Sequence, residues 1–142
     1  MSNPIITITP KLTAVKLDIK LYDQITFVSG DSGIGKTFLF KQLQLIATKE
    51  EFKYIKCLNY LTADLKDRIT EYAQNPNNLV VLDNGDVLMD ADTRSSIIEG
   101  KANFLIFSRE YYGLAFSKYN VADLQFTDRE LSLRFPLAEV LT

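Results

Sequence analysis

The segment Gly30-Asp31-Ser32-Gly33-Ile34-Gly35-Lys36-Thr37 fits the spacing G-x-x-x-x-G-K-[ST] at every fixed position. Each fixed residue type has a chemical reason to be there. Glycines admit backbone angles that turn successive N–H groups toward one point. Those amides, with the N-terminus of a following helix, make an anion site. The Lys36 ammonium is then placed to meet the β- and γ-phosphates of a nucleotide, and the Thr37 hydroxyl to ligate Mg2+. The residues expected to touch nucleotide are Gly30, Asp31, Ser32, Gly33, Ile34, Gly35, Lys36, Thr37 and Phe38.

A phosphate site of this kind needs a carboxylate for its metal. Leu79-Val80-Val81-Leu82-Asp83 is an apolar run ended by one, the Walker B pattern, with Asp83 expected to hold Mg2+ from beyond its directly bound ligands or through water. The competing reading is an Asp that only begins a turn, because Asp83-Asn84-Gly85-Asp86 is a strong turn sequence. A second apolar run, Phe104–Phe107, leads into Ser108-Arg109-Glu110. Residues at the carboxyl ends of parallel strands face the ligand crevice. Ser108 is therefore read either as a contact to the γ-phosphate or attacking water, or as a turn cap. Glu110 and Asp86 are the carboxylates on neighbouring loops that could act as base. Arg94 and Arg109 could neutralise phosphate charge, in this chain or in a neighbour.

Absences narrow the chemistry further. The 142 residues include no histidine and one cysteine, Cys57, so Ser-His-Asp and Cys-His catalytic units, His-ligated metals and internal disulfides are excluded. Cys57, in the run Tyr54–Leu58, reads as a small buried hydrophobe. Sixteen basic and 18 acidic residues give a formal charge of −2, which argues against a large electrostatic footprint on nucleic acid and leaves a local one open. No apolar stretch is long enough to span a bilayer, and Met1–Ile5 lacks a signal-peptide layout. A cytoplasmic location is expected.

The elements that must position these residues follow from periodicity. Ile6 and Ile8, then Val15, Leu17, Ile19 and Leu21, alternate with polar residues and predict an antiparallel ribbon. Ile25–Val28 reads as a central strand. Leu39, Leu43, Ile46 and Ala47 mark one face of a helix from Lys36 to about Thr48. A strand at Tyr54–Leu58 precedes a helix capped by Thr62 with Leu65, Ile69, Tyr72 and Ala73 inward. Leu79–Leu82 and Phe104–Phe107 read as fully buried strands. Between them Asp90 caps a helix over Ala91–Glu99 that stops at Gly100. Ala122–Phe126 and Leu131–Phe135 form a hairpin around Thr127–Glu130. Apolar strands alternating with helices imply an α/β fold, a parallel sheet covered on both faces, in one domain over residues 1–142.

On these residues, Val15–Leu45 with the glycine-rich loop inside it resembles the start of an ATP-binding-cassette ATPase. Asp83 matches that family's Walker B Asp, and Phe104–Ser108 its following strand. The wider group is the P-loop NTPases with an additional strand. The resemblance implies a parallel sheet in the order 5-1-4-3-2 behind an N-terminal antiparallel ribbon, bound ATP with GTP not excluded, Mg2+, and a protein partner or self-association. Departures accompany it. Asn84 stands where the family has its catalytic Glu, and an amide holds a water but cannot take its proton. The Leu-Ser-Gly-Gly-Gln-like signature and the switch histidine are absent. About twenty residues, Asn59–Asn78, leave no room for a transporter's helical subdomain. The expected function is a minimal ATPase or nucleotide-dependent switch, slow at hydrolysis, with Lys36, Asp83, Ser108 and Glu110 as its catalytic set. The alternative is a non-enzymatic nucleotide-binding adaptor or loader for a partner machine. A kinase has less support, because Arg68, Arg94, Arg109, Arg129 and Arg134 form no Arg-rich lid.

Overall fold

The computed structural model describes residues 3–11, 15–29 and 34–140. In chain order the elements are β1 (Ile6–Ile8), β2 (Lys16–Leu21), β3 (Ile25–Val28), α1 (Ile34–Ile46), β4 (Ile55–Leu58), α2 (Leu65–Ala73), β5 (Leu79–Leu82), α3 (Gly85–Leu88), α4 (Ala91–Glu99), β6 (Asn103–Phe107), β7 (Val121–Thr127), β8 (Glu130–Arg134) and α5 (Pro136–Val140). A 3₁₀ turn at Glu50–Phe52 joins α1 to β4.

Side-chain alternation along the inner strands divides the core in two. Val28, Leu79, Val81, Leu105 and Phe107 pack on one face of the sheet under Leu39, Phe40, Leu43 and Ile46 of α1. Phe27, Val80, Leu82, Phe104 and Ile106 pack on the other, under Ile69 and Ala73 of α2 and Ile97 of α4. An all-apolar stretch of strand needs cover on both faces, and β5 and the Phe104–Phe107 part of β6 receive it. Their carboxyl ends, where the motif residues lie, are fixed from both sides.

Among the described residues the strands form one mixed α/β sheet of eight, in the order β1-β2-β8-β7-β3-β6-β5-β4. The expected order 5-1-4-3-2 does not describe this sheet as a whole. The ribbon and the hairpin are not appendages. β8 pairs antiparallel with β7 and parallel with β2, and β2 pairs antiparallel with β1, so hydrogen bonding continues outward from the edge of β7. β2 and β3 are joined by only Tyr22, Asp23 and Gln24, yet two strands lie between them. Three strand spacings are about 14 Å and so short a link spans about 13–14 Å, so the sheet curls to bring the two ends together.

Local chemistry departs from expectation at several points. α1 begins at Ile34, two residues before Lys36. Thr62 does not cap α2. Its Oγ1 accepts from the Asn59 amide at 3.0 Å, while the cap position is Asp64, in a left-handed conformation with no side-chain capping bond. Asp90 does cap α4, accepting from the Thr93 amide at 2.8 Å. Gly100 ends that helix for steric reasons. Its φ is −70°, and a Cβ there would lie 2.6 Å from the Ser96 carbonyl oxygen and 3.1 Å from the Phe104 ring. The β7–β8 turn is a two-residue one, with Asp128 and Arg129 both at positive φ, the twist that antiparallel neighbours need.

Candidate functional site

Three strand ends are held in line at the carboxyl edge of the sheet. The ladder continues one residue beyond each. The Ser29 amide donates to the Ala122 carbonyl at 3.1 Å, the Asp83 amide to Leu58 at 3.0 Å, and the Ser108 amide to Val28 at 3.3 Å. Of the glycine-rich segment, Gly30, Asp31, Ser32 and Gly33 lie outside the described residues, while Ile34, Gly35, Lys36, Thr37 and Phe38 open α1. Thr37 is exposed, Lys36 is half-buried, and Phe38 packs against the core beneath the helix.

The charge of Lys36 is felt at Asp83 on this edge. Burial raises the Asp83 carboxyl above the usual aspartate range. The Asn84 amide, donating to its Oδ1 at 3.0 Å, and the charge of Lys36 pull it down but do not cancel the rise. The carboxylate that the sequence pairs with a metal thus sits half-buried, one residue beyond an entirely apolar strand.

The turn after Asp83 is tighter than its sequence suggests. Asn84 has φ 51°, and α3 starts at once with Gly85. A Cβ on Gly85 would lie 2.7 Å from Ile106 Cγ2 and 3.1 Å from Ser108 Cβ, so only glycine lets α3 lie on the end of β6. Asn84 is exposed and occupies the left-handed region, which Asn enters more readily than Glu.

Asp86 then brackets the loop that follows β6. Its carboxylate accepts from the Arg109 amide at 2.8 Å, from the Glu110 amide at 3.3 Å and from the Tyr112 hydroxyl. Partial burial pushes this carboxyl up. The Tyr112 bond, the two amides and the Arg109 charge more than offset that and hold it below the usual range. Tyr112 responds in the opposite sense, its phenol pushed up to about 12 by burial, by the bond to Asp86 and by the charges of Asp86 and Glu110. Asp86 is one of the two carboxylates that could act as base; all three of these donors already draw on its oxygens.

The remaining site residues fall around this bracket. Ser108 is buried and its hydroxyl donates to the Glu110 carbonyl at 2.7 Å, so it caps the turn. The Glu110 side chain is exposed. Arg94 donates from Nε to the Tyr112 carbonyl at 2.8 Å, which tethers the loop to α4. Tyr111 packs its ring against Phe27 and donates to Ser29 Oγ at 3.2 Å, linking the loop to the residue just before the glycine-rich segment. No local pattern in Tyr111-Tyr112-Gly113 names these partners. Tyr22 is stacked on Tyr119 with centroids 4.8 Å apart and edge-on to Phe135 at 5.3 Å, at the amino end of β3. Cys57 lies in β4 with its thiol pushed up to about 12 by burial.

Among the described residues no three His, Cys, Asp or Glu side chains converge as a metal cage. Thr37 and Asp83 each offer a hard oxygen donor, the ligand type of Mg2+, which takes most of its other ligands from water and phosphate. Comparison with protein-family models, with curated proteins and with solved structures finds no match to the chain.

Proposed function

We propose that the chain binds a Mg2+-nucleoside triphosphate, ATP by preference, across the carboxyl ends of β3, β5 and β6, and acts as a slow ATPase or nucleotide-dependent switch. The observation that carries this reading is that the charge of Lys36 is felt at Asp83, two residues far apart in sequence that the phosphate-loop and Walker B patterns pair. The inner strands add support. They run β7-β3-β6-β5-β4, each parallel to its neighbours. Counted from β3, this arrangement is compatible with the 5-1-4-3-2 order of additional-strand P-loop proteins.

Thr37 and Asp83 would hold Mg2+, which when bound neutralises charge on the phosphate oxygens. Lys36 and the α1 N-terminus orient the phosphates. Ser108 has oxygen lone pairs left over for a phosphate-bound water, although its proton is committed to Glu110. The weak element is the base: Asn84 cannot accept a proton and Asp86 is engaged. That engagement favours the second reading, an adaptor that binds nucleotide for a protein partner without turning it over. Among the described residues no helix is long and apolar enough to cross a membrane.

Calorimetric titration with Mg-ATP, Mg-ADP and Mg-GTP, on wild type and Lys36→Ala, tests binding. A time course of phosphate release separates switch from adaptor. Absence of binding to wild type at millimolar nucleotide would overturn the proposal.

A further inference from the structure

We propose that Phe126 is the platform on which the base of the bound nucleotide stacks, an assignment that rests on the nucleotide site proposed above. Phe126 is 60% exposed, at the outer end of β7. Its location gives the exposure a use. β7 runs parallel to β3 with Ala122 opposite Val28, and then continues past the end of β3 in unbroken register with β8. At a rise of about 3.3 Å per residue, Phe126 stands about 13 Å beyond Ala122, outside the carboxyl edge.

The face on which it projects follows from Leu124. Residues two apart on a strand share a face. Leu124 belongs to the α1 side, because it packs on the core beneath that helix and its Cδ1 lies 3.3 Å from where a Cβ on Gly35 would be. Phe126 is on that same face, about 7 Å further along the strand than the residue touching the start of α1. Its cross-strand partner Leu131 is buried in the same core. A ligand whose phosphates lie at the N-terminus of α1 has Phe126 as an open aromatic face on its outer side. Tyr22, by contrast, is already stacked and lies at the other end of β3.

Every base has a π-face, so a ring without hydrogen-bonding groups reads the presence of a base and not its identity. Removing the ring should weaken Mg-ATP and Mg-GTP alike, by roughly 5- to 150-fold, the range of one lost base–aromatic stack. Inorganic Mg-tripolyphosphate, which has no base, should bind Phe126→Ala as it binds wild type. Phe126→Tyr should keep wild-type affinity. The chain has no tryptophan, so Phe126→Trp provides a single reporter whose emission should be quenched by Mg-ATP and unaffected by tripolyphosphate.

The outcomes separate cleanly. Wild type that binds both ligands, with Phe126→Ala unchanged toward ATP, overturns the stacking assignment and leaves the nucleotide site standing. Equal weakening toward ATP and tripolyphosphate also overturns it, since the ring would then be supporting the phosphate site. Wild type that binds neither ligand overturns the site and the assignment together.

Discussion

Substitution of Asp86 by Ala should release the loop after β6. Two of the bonds that Asp86 accepts are short, from the Arg109 amide at 2.8 Å and from the Tyr112 hydroxyl, and the third, from the Glu110 amide, is long at 3.3 Å. A hydrogen bond to a charged group contributes about 1.5–3 kcal/mol net, and the exposure of Asp86 selects the low end of that range. The two short bonds then contribute about 3 kcal/mol together, equivalent to about 150-fold in the local opening equilibrium. Hydrogen exchange at the Arg109 and Glu110 amides reads this directly, because those are the groups the carboxylate covers. Unchanged exchange in Asp86→Ala would refute the bracket. The pH dependence has a definite sign. Because the Asp86 carboxyl is held below its usual range in the folded protein, its stabilisation is complete above the unfolded value of about 3.9 and is lost as pH falls through the lower folded value. Loop protection should therefore persist through pH 5 and fail only in strong acid. Protonation of Asp86 and its replacement by Asn should then look alike, since each leaves a neutral group facing the two amides.

Three other perturbations test the frame around the site. Gly85→Ala places a Cβ 2.7 Å from Ile106 Cγ2, and should cost about 1–3 kcal/mol in urea unfolding; an unshifted midpoint would mean that α3 does not lie on β6. Asn120 is buried, accepts at Oδ1 from the Phe116 and Ser117 amides at 2.6 Å, and donates to the Ile25 carbonyl at 2.6 Å. Asn120→Ala should therefore cost about 3–4 kcal/mol in the same assay. Lys36→Met removes a positive charge that lowers the Asp83 carboxyl, so the NMR titration of Asp83, already above the usual range, should move higher still; no movement would separate the two halves of the proposed site. In the wild type the raised Asp83 value means that Mg2+-dependent binding should begin to fall, as pH is lowered, before an ordinary aspartate would protonate.

What could be read from the sequence was what local spacing carries. β5 and β6 were legible because an all-apolar tetrad has no wet face to offer, and α4 because Asp90 and Gly100 punctuate it. The glycine-rich motif is marked by eight consecutive residues, of which Gly30, Asp31, Ser32 and Gly33 lie outside the described residues. The rest depends on through-space neighbours. Thr62 looked like a helix cap, but a closer competitor, the Asn59 amide, takes its hydroxyl. The whole-sheet order was misjudged because an alternating ribbon says which face is wet, and not which strand its edge will meet. Asp86 is the sharpest instance. A carboxylate in Asp-Asn-Gly-Asp reads as solvent-facing and free to act as a base, and the residue is indeed exposed. Its oxygens are nevertheless engaged by donors 23 to 26 positions away, which come within reach because β5 and β6 are adjacent and end together. Exposure of a residue and availability of its oxygens are different quantities, and only the first has a signature in sequence. The same separation applies to Asn84: its amide was read as a missing base, whereas its backbone, at φ 51° ahead of a glycine that must touch β6, is a conformation that a Glu would adopt less readily. The turn that packs α3 onto the sheet disfavours Glu at position 84, and placing Glu there would have to work against the fold that surrounds it.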